Sequence, residues 1–464
     1  MTSIARELIA AALRGELDER RARQLAELGP EVVTLALLAA SQCIAELQRR
    51  PGGASLSTPS GMIPLYAKPN AASGRAAKRR QKPGAKVGHA GARRAIPARI
   101  DRRVTHRLKC CPHCRGRLQR CHRTRTRIIE DLPEHIQPVV TEHTLHRDYC
   151  PKCKKHVEPV VVEAMPQAAI GHRLVSLTGW FHYGLGLTLD QIVQLLGYHL
   201  QTELTPGGLM DAWHRLAGVL AAWYDAIGAQ AKKSSHLHAD ETGWRVNGQT
   251  HWLWCFANHQ VCYYMIDRCR GSPALQKFFT EAFDGVLITD FWSAYGSVCA
   301  QDRQYCLVHL LRELEEVDER NTAAAWQTFA RRVRALLRAG IRLRKRPDFA
   351  PGKWQEQVDR LNKRLARLAS EDYTDDDARR LANRLYKHVE SIFTFLDYAD
   401  VPFDNNFAER QIRPAVIIRK NSLANRSDRG AATQSILMSV FRTLKLRGLQ
   451  HALRGNRQHL LASS

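Results

Sequence analysis

Three carboxylates far apart in the chain sit where a metal-dependent attack on a phosphodiester would need them. Asp240 lies in His-Leu-His-Ala-Asp-Glu-Thr, Asp290 ends Gly-Val-Leu-Ile-Thr-Asp, and Glu409 falls in Asp-Asn-Asn-Phe-Ala-Glu-Arg. The first two come at or near the ends of short apolar runs that read as buried strands, where an acid is costly unless a cation or hydrogen bonds compensate it. Converging, the three would bind two divalent ions, Mg2+ or Mn2+, through hard oxygen ligands suited to in-line displacement at phosphorus. Glu241 alternates to the opposite face of its strand and is the alternative to Asp240. Asp404 competes with Glu409, although Asp404-Asn405-Asn406 also reads as a helix N-cap cluster. His309 follows Tyr305-Cys-Leu-Val at a helix start and could lie near the metals, but a lone histidine is more often structural.

The elements that must position these acids can be read from periodicity. Residues 236–240, 243–246, 251–257 and 261–266 alternate as strands, with Asn247-Gly248 as a hairpin turn. A helix over 273–283, a strand over 286–289, a short helix over 292–297 and a strand over 304–307 follow. That order predicts a ribonuclease-H-like core, a mixed sheet with helices in a multidomain α+β chain. In such a core the first acid points from the first strand, the second ends the fourth strand beside it, and the third arrives on a later helix. Residues 309–400 are helical and charged without strand pattern, and read as an insertion in a catalytic domain spanning 233–420. Residues 166–232 form a helical domain. In it Thr188 and Thr205 are N-caps and Pro206 a first helical residue, giving a helix-turn-helix-like unit that either reads DNA or only packs. The remainder, 421–464, reads as a basic C-terminal tail.

The N-terminal part carries different chemistry. Residues 1–50 have leucines and alanines at helical spacing and offer a dimerisation helix, and 51–105 read as a basic linker. From residue 68 to 125 there are 19 Lys and Arg and one acid, Asp101. Such a run marks a nucleic-acid-binding arm, with Lys78, Arg79, Arg80, Lys82, Arg93 and Arg94 as phosphate contacts. Asn405, Arg410 and Arg413, beside the third acid, are further DNA contacts. Cys111-Pro-His-Cys114 and Cys150-Pro-Lys-Cys153, 35 residues apart, point to one structural Zn2+ held by four thiolates in a domain spanning 106–165. Cys110, His113, Cys121 and His156 are nearby spare ligands.

Composition narrows the partner. Seventy Lys and Arg against 45 Asp and Glu give a formal charge of +25, which favours a polyanion through phosphate neutralisation. No apolar run reaches the ~18 residues of a spanning helix and no signal peptide opens the chain. The expectation is a cytoplasmic, nucleoid-associated protein without a membrane partner, whose cysteines ligate metal or lie buried rather than form disulfides.

The same residues resemble a known family. The paired Cys-Pro-x-Cys knuckles, His238-Ala-Asp-Glu-Thr-Gly-Trp, Thr289-Asp-Phe-Trp-Ser-Ala-Tyr, Cys306-Leu-Val-His-Leu-Leu-Arg-Glu-Leu and Asp404-Asn-Asn-Phe-Ala-Glu-Arg-Gln-Ile-Arg-Pro together look like a DDE transposase of the insertion-sequence-66 family. The resemblance implies that Asp240, Asp290 and Glu409 form a catalytic triad. It also implies cleavage and strand transfer of double-stranded DNA, at the ends of a mobile element and in its target. The protein would act as a homo-oligomer, accompanied by small accessory proteins of the same element. The rival readings are a metal-dependent nuclease of the same fold and a catalytically inactive, zinc-containing DNA-binding regulator.

Overall fold

In the computed structural model, residues 23–24, 26–29, 32–34, 97–119, 125–133, 136–346 and 351–449 are described. Lys78, Arg79, Arg80, Lys82, Arg93, Arg94, Cys121 and most of the N-terminal helical segment lie outside the described residues. The first sheet is a small antiparallel hairpin, β1 (Asp148–Cys150) with β2 (Lys155–Val157). Helices α1 (His172–Gly179), α2 (Leu189–Leu200), α3 (Pro206–Val219) and α4 (Ala221–Lys232) follow. The expected caps form. The Thr188 hydroxyl accepts from Gln191 N while the Gln191 side chain accepts from Thr188 N, a complete capping box. Thr205 accepts from Gly208 N with Pro206 in the first helical turn. One face of α3 buries Leu209, Ala212, Trp213 and Ala217, while Pro206, Gly207 and Gly208 stay exposed.

The central sheet begins with β3 (His236–Val246) and β4 (Gln249–Ala257). Asn247 and Gly248 join them with φ +48° and +73°, the left-handed backbone of a two-residue hairpin whose twist matches its strands. The two strands expected over 236–240 and 243–246 are one continuous strand, because every residue from His238 to Val246 pairs with β4. Next come β5 (Cys262–Asp267), α5 (Ser272–Phe278), β6 (Phe283–Thr289) and β7 (Ala300–Tyr305). The helix expected over 273–283 stops at Phe278. Phe279 turns the chain and Phe283 opens β6, its ring against Phe279, which in turn meets the stacked Phe256–Phe278 pair edge-on. The last strand is Ala300–Tyr305 rather than 304–307, and Leu307 already begins a helix.

Strand order is β5-β4-β3-β6-β7, antiparallel through the first three and parallel from β3 to β6 to β7. This mixed, helix-flanked sheet makes the chain α+β, consistent with the expected ribonuclease-H-like arrangement. Alternate residues feed opposite faces. Leu237, Ala239, Trp254, Phe256 and Leu287 pack into one core, with α5 beside them. Leu253, Cys255 and Ala257 belong to the core on the other side, which also holds buried residues of α1, α2 and α3. On that second side Val286 and Ile288 join the core of the helical block α6 (Leu307–Arg320), α7 (Ala324–Arg344), α8 (Pro351–Ser370) and α9 (Asp376–Lys387). Buried Glu313 of α6 is pinned by Arg380 at 2.7 Å and by Arg384, tying α6 to α9. Two helices complete the chain, α10 (Asn406–Ser422) and α11 (Asp428–Leu446).

Of the residues read as a basic tail over 421–464, Asp428–Leu446 form α11, and 450–464 lie outside the described residues. Leu437, Met438, Val440, Phe441 and Leu444 are buried, and the helix seals the free edge of β5. There Cys262 N donates to Thr443 Oγ1 at 3.0 Å and Tyr264 N to Ser439 Oγ at 2.8 Å. Two outward N–H groups of an edge strand are thereby satisfied without another strand. The apolar residues that dock α11 lie between Arg429 and Lys445, so the segment is basic by composition and buried by packing. Among the described residues no helix is long and apolar enough to cross a membrane.

Gly285 holds β6 against the start of β3. A Cβ there would lie 2.6 Å from Ser234 O and 2.8 Å from Ser235 O, both backbone. Gly285→Ala should destabilise the fold by about 1–3 kcal/mol, read as a lower urea midpoint with unchanged slope.

Candidate functional site

Sheet register brings the first two acids together. His238 pairs with Ile288 in the parallel β3–β6 ladder, so Asp240 stands opposite Asp290 two residues further along. Asp240 shares the face of His238, two residues back on its strand, and Asp290 follows the last residue of β6. The first turn of α10 then delivers Glu409. The acids are joined by charge. Burial and the carboxylates of Glu241, Asp290 and Glu409 raise Asp240 well above the ordinary range. Burial first, with a contribution from Glu409, raises Asp290. Each aspartate has one oxygen tied: Asp240 Oδ1 accepts from Glu241 N at 2.9 Å, and Asp290 Oδ1 from Trp292 N at 2.9 Å. The second oxygen of Asp240 and Oε1 of Glu409 are buried without a hydrogen-bond partner.

Cations flank this cluster. His309 Nε2 and Arg312 NH1 each lie 3.7 Å from Glu409 Oε1. Burial alone would lower the His309 pKa, but Cys306, Asp290 and Glu409 lift it to about 9. As the side chains stand, no group of three or more His, Cys, Asp or Glu among the described residues is close enough to hold a metal ion. Orphaned, mutually repelling acid oxygens are nevertheless the donor set that a hard divalent cation fits.

The alternatives separate clearly. Glu241 points to the opposite face, where Tyr295 Oη donates to its Oε2 at 2.5 Å and Arg270 Nε and NH2 donate to its Oε1 at 3.2 and 3.1 Å. Burial, followed by the charge of Asp290, pushes it up to about 7. Arg270 is itself held between the rings of Trp252 and Trp292, 4.7 and 4.0 Å from their centroids. Asp404 serves its helix, accepting from Asn406 N at 3.1 Å. Asp240, Asp290, Glu409 and His309 thus act on one another through charge, while Glu241 is bonded to Tyr295 and Arg270 and Asp404 to Asn406 N.

Asn405 corrects the expectation of a DNA contact. It is 1% exposed and works as a latch between α10 and β3. Its Nδ2 donates to Ala239 O at 2.8 Å, its N–H donates to Cys306 Sγ at 3.1 Å, and its Oδ1 lies 2.9 Å from His238 Nδ1. Because Oδ1 can only accept, the Nδ1 proton of His238 is fixed there. Burial pushes His238 down to about 3, keeping the imidazole neutral. Asn405→Ala should cost on the order of 2–4 kcal/mol by stranding these buried groups, measured by urea unfolding. The signal available in sequence was His238 itself, on the same face as Asp240 two residues away. Arg410 and Arg413 are exposed, as phosphate contacts require.

The two Cys-Pro-x-Cys turns are formed. Arg115 and Lys154 after them take φ +57° and +53°. The N–H groups of Cys114 and then His113 lower the Cys111 thiol below its usual value, as the Cys153 N–H does for Cys150. Cys111, Cys114, Cys150 and Cys153 are all free thiols, presented as two pairs rather than as a gathered set of four.

Comparison with known proteins adds a family and two distant relatives. The model of the family described as "Transposase IS66 family" matches residues 167–433. An uncharacterised protein of Sinorhizobium fredii, y4qI, is 23% identical, with the match covering 52% of this chain and 50% of that protein. A second from the same organism, y4jD, is 21% identical over 76% of this chain and 74% of its own length. The chain thus spans half the length of the first relative.

Proposed function

The chain belongs to the IS66 transposase family, and on that premise we propose that it is a DDE-type enzyme cleaving and joining DNA strands, with Asp240, Asp290 and Glu409 as its catalytic acids. The observation that carries this reading is the buried, partnerless Oδ2 of Asp240 beside two acids coupled to it by charge. Asp240 and Asp290 present oxygens from adjacent strands, each aimed by a backbone N–H on its other oxygen. Glu409 approaches from α10, and the Asn405 latch sets the position of that helix against β3. When bound, two Mg2+ or Mn2+ ions would activate a water or 3′-hydroxyl nucleophile and neutralise the leaving oxygen. Arg410 and Arg413 point outward on α10 to meet the DNA backbone, with Lys78, Arg79, Arg80, Lys82, Arg93 and Arg94 adding sequence-independent affinity. Strand transfer at two element ends calls for more than one copy of the chain, and small proteins of the same element would accompany it.

Cys111, Cys114, Cys150 and Cys153 are proposed to hold one structural Zn2+. Two turns whose N–H groups already favour thiolate support this, and four thiolates would leave the ion no open position for catalysis. Cys111→Ser should abolish zinc retention and unfold the small module, because ligation is coupled to folding there. Metal analysis checks it, and one zinc per chain kept in the variant would refute the site.

The function is tested with purified protein, Mg2+ and labelled element ends. Joined products support a transposase, nicks alone a hydrolytic nuclease, and binding without cleavage an inactive zinc-containing regulator.

A further inference from the structure

The helical block carries its own concentration of positive charge. Helix α7 contains six arginines and no acid. Several arginines of the block, two of them on α7, are matched: Arg320 with Asp377, Arg332 with Glu371 at 2.5 Å, Arg334 with Asp318, and Arg380 and Arg384 with Glu313. Between α7 and α8 the matching stops. There a cleft of about 200 Å3 is lined by Arg342 and Arg346 from one side and Arg360 and Arg364 from the other, with Leu343 and Leu361 among its walls. All four arginines are exposed, and none makes an ion pair among the described residues.

Arg360 and Arg364 are spaced i, i+4 on α8, which puts two guanidinium stems one turn apart, about 6 Å along the axis, and Arg342 in the last turn of α7 and Arg346 just beyond it line the other side of the cleft. Like charges at that spacing repel and cost a helix a few tenths of a kcal/mol. Four such groups facing a shared cleft are stabilised by an anion, and guanidinium forks match phosphate oxygens in geometry as well as charge. The cleft volume is several times the ~30 Å3 share of a water, enough for a phosphate group with its hydration. Two rows of exposed arginines suit an extended chain of phosphates better than an enclosed small anion.

We propose that this arginine-lined cleft between α7 and α8 is a second DNA-backbone site, which grips duplex phosphates without reading sequence. The proposal rests on the reading that the chain acts on DNA. It adds a contact surface to a block that contributes none of the three acids.

The test compares wild type with two quadruple variants of the full chain. One replaces Arg342, Arg346, Arg360 and Arg364 with Gln. The other replaces Arg331, Lys353, Lys363 and Arg367 with Gln, which are exposed basic residues of the same helices outside the cleft. Binding of a fluorescent duplex of random sequence is followed by anisotropy across a salt series, with thermal unfolding as the folding control. The cleft variant is expected to bind at least 10-fold more weakly at low salt. The slope of log affinity against log salt should fall by about 2, as expected when two or more phosphate contacts go. The second variant should lose clearly less. Equal losses in both variants would reduce the effect to diffuse charge and overturn the site, as would an unchanged slope in the cleft variant. Competition separates sources: excess inorganic phosphate that erases the difference between wild type and cleft variant identifies a small-anion site. A loss confined to an RNA duplex overturns the assignment to DNA. Failure of wild type to bind any duplex would sink the broader reading, which is distinct from failure of the cleft.

Discussion

Asp240→Asn and Asp290→Asn are each expected to lower cleavage by about 10^3-fold or more while leaving the fold as stable as wild type or more so. The first effect follows from removing an ion ligand, whose contribution to the transition state is several kcal/mol. The second follows from the cost of the cluster itself. Burial and three neighbouring carboxylates oppose the charge on Asp240, and an amide of the same shape removes that repulsion while its oxygen still accepts from Glu241 N. Loss of activity with gain of stability is the signature of acids held together for function. Thermal unfolding with and without Mg2+ completes the check. Wild type should be stabilised by the ion, by about 2.7 kcal/mol at 100 times its dissociation constant, whereas both variants should lose most of that shift. An Asp240→Asn protein that still cleaves, or that responds to Mg2+ as wild type does, would remove Asp240 from the site.

Glu409→Gln should likewise abolish cleavage, and Asp404→Ala should not. The two acids lie five residues apart at the start of α10, and their surroundings assign different tasks. Glu409 Oε1 is buried without a hydrogen bond, flanked by His309 and Arg312 at 3.7 Å. Asp404 is spent on Asn406 N, so its removal should cost about 1 kcal/mol at the helix start and little activity. A single-turnover cleavage assay beside a urea titration distinguishes the two. Activity surviving in Glu409→Gln and vanishing in Asp404→Ala would exchange their roles.

Local features of the protein were legible from residue order because they depend on neighbours in sequence. Asn247-Gly248 specifies a left-handed two-residue turn whatever surrounds it, since Gly248 has no Cβ and Asn tolerates positive φ. Thr188 and Thr205 cap their helices with hydroxyls that reach only three residues ahead. Alternation placed Asp240 and Glu241 on opposite faces of one strand. Tertiary structure alone decided the rest. The register that sets Asp240 opposite Asp290 depends on the pairing of two strands with α5 between them. The burial of Asn405 depends on α10 docking against β3, so a residue that reads as a solvent-facing cap or DNA contact becomes a latch. Likewise α11, basic by composition, is buried because β5 leaves N–H groups that only a helix bearing Ser439 and Thr443 at the right turns can meet. Turns and caps are set by short-range sterics, which any stretch of chain carries with it. Which acid meets which, and which polar group loses its water, is set by packing between segments that sequence order does not bring together.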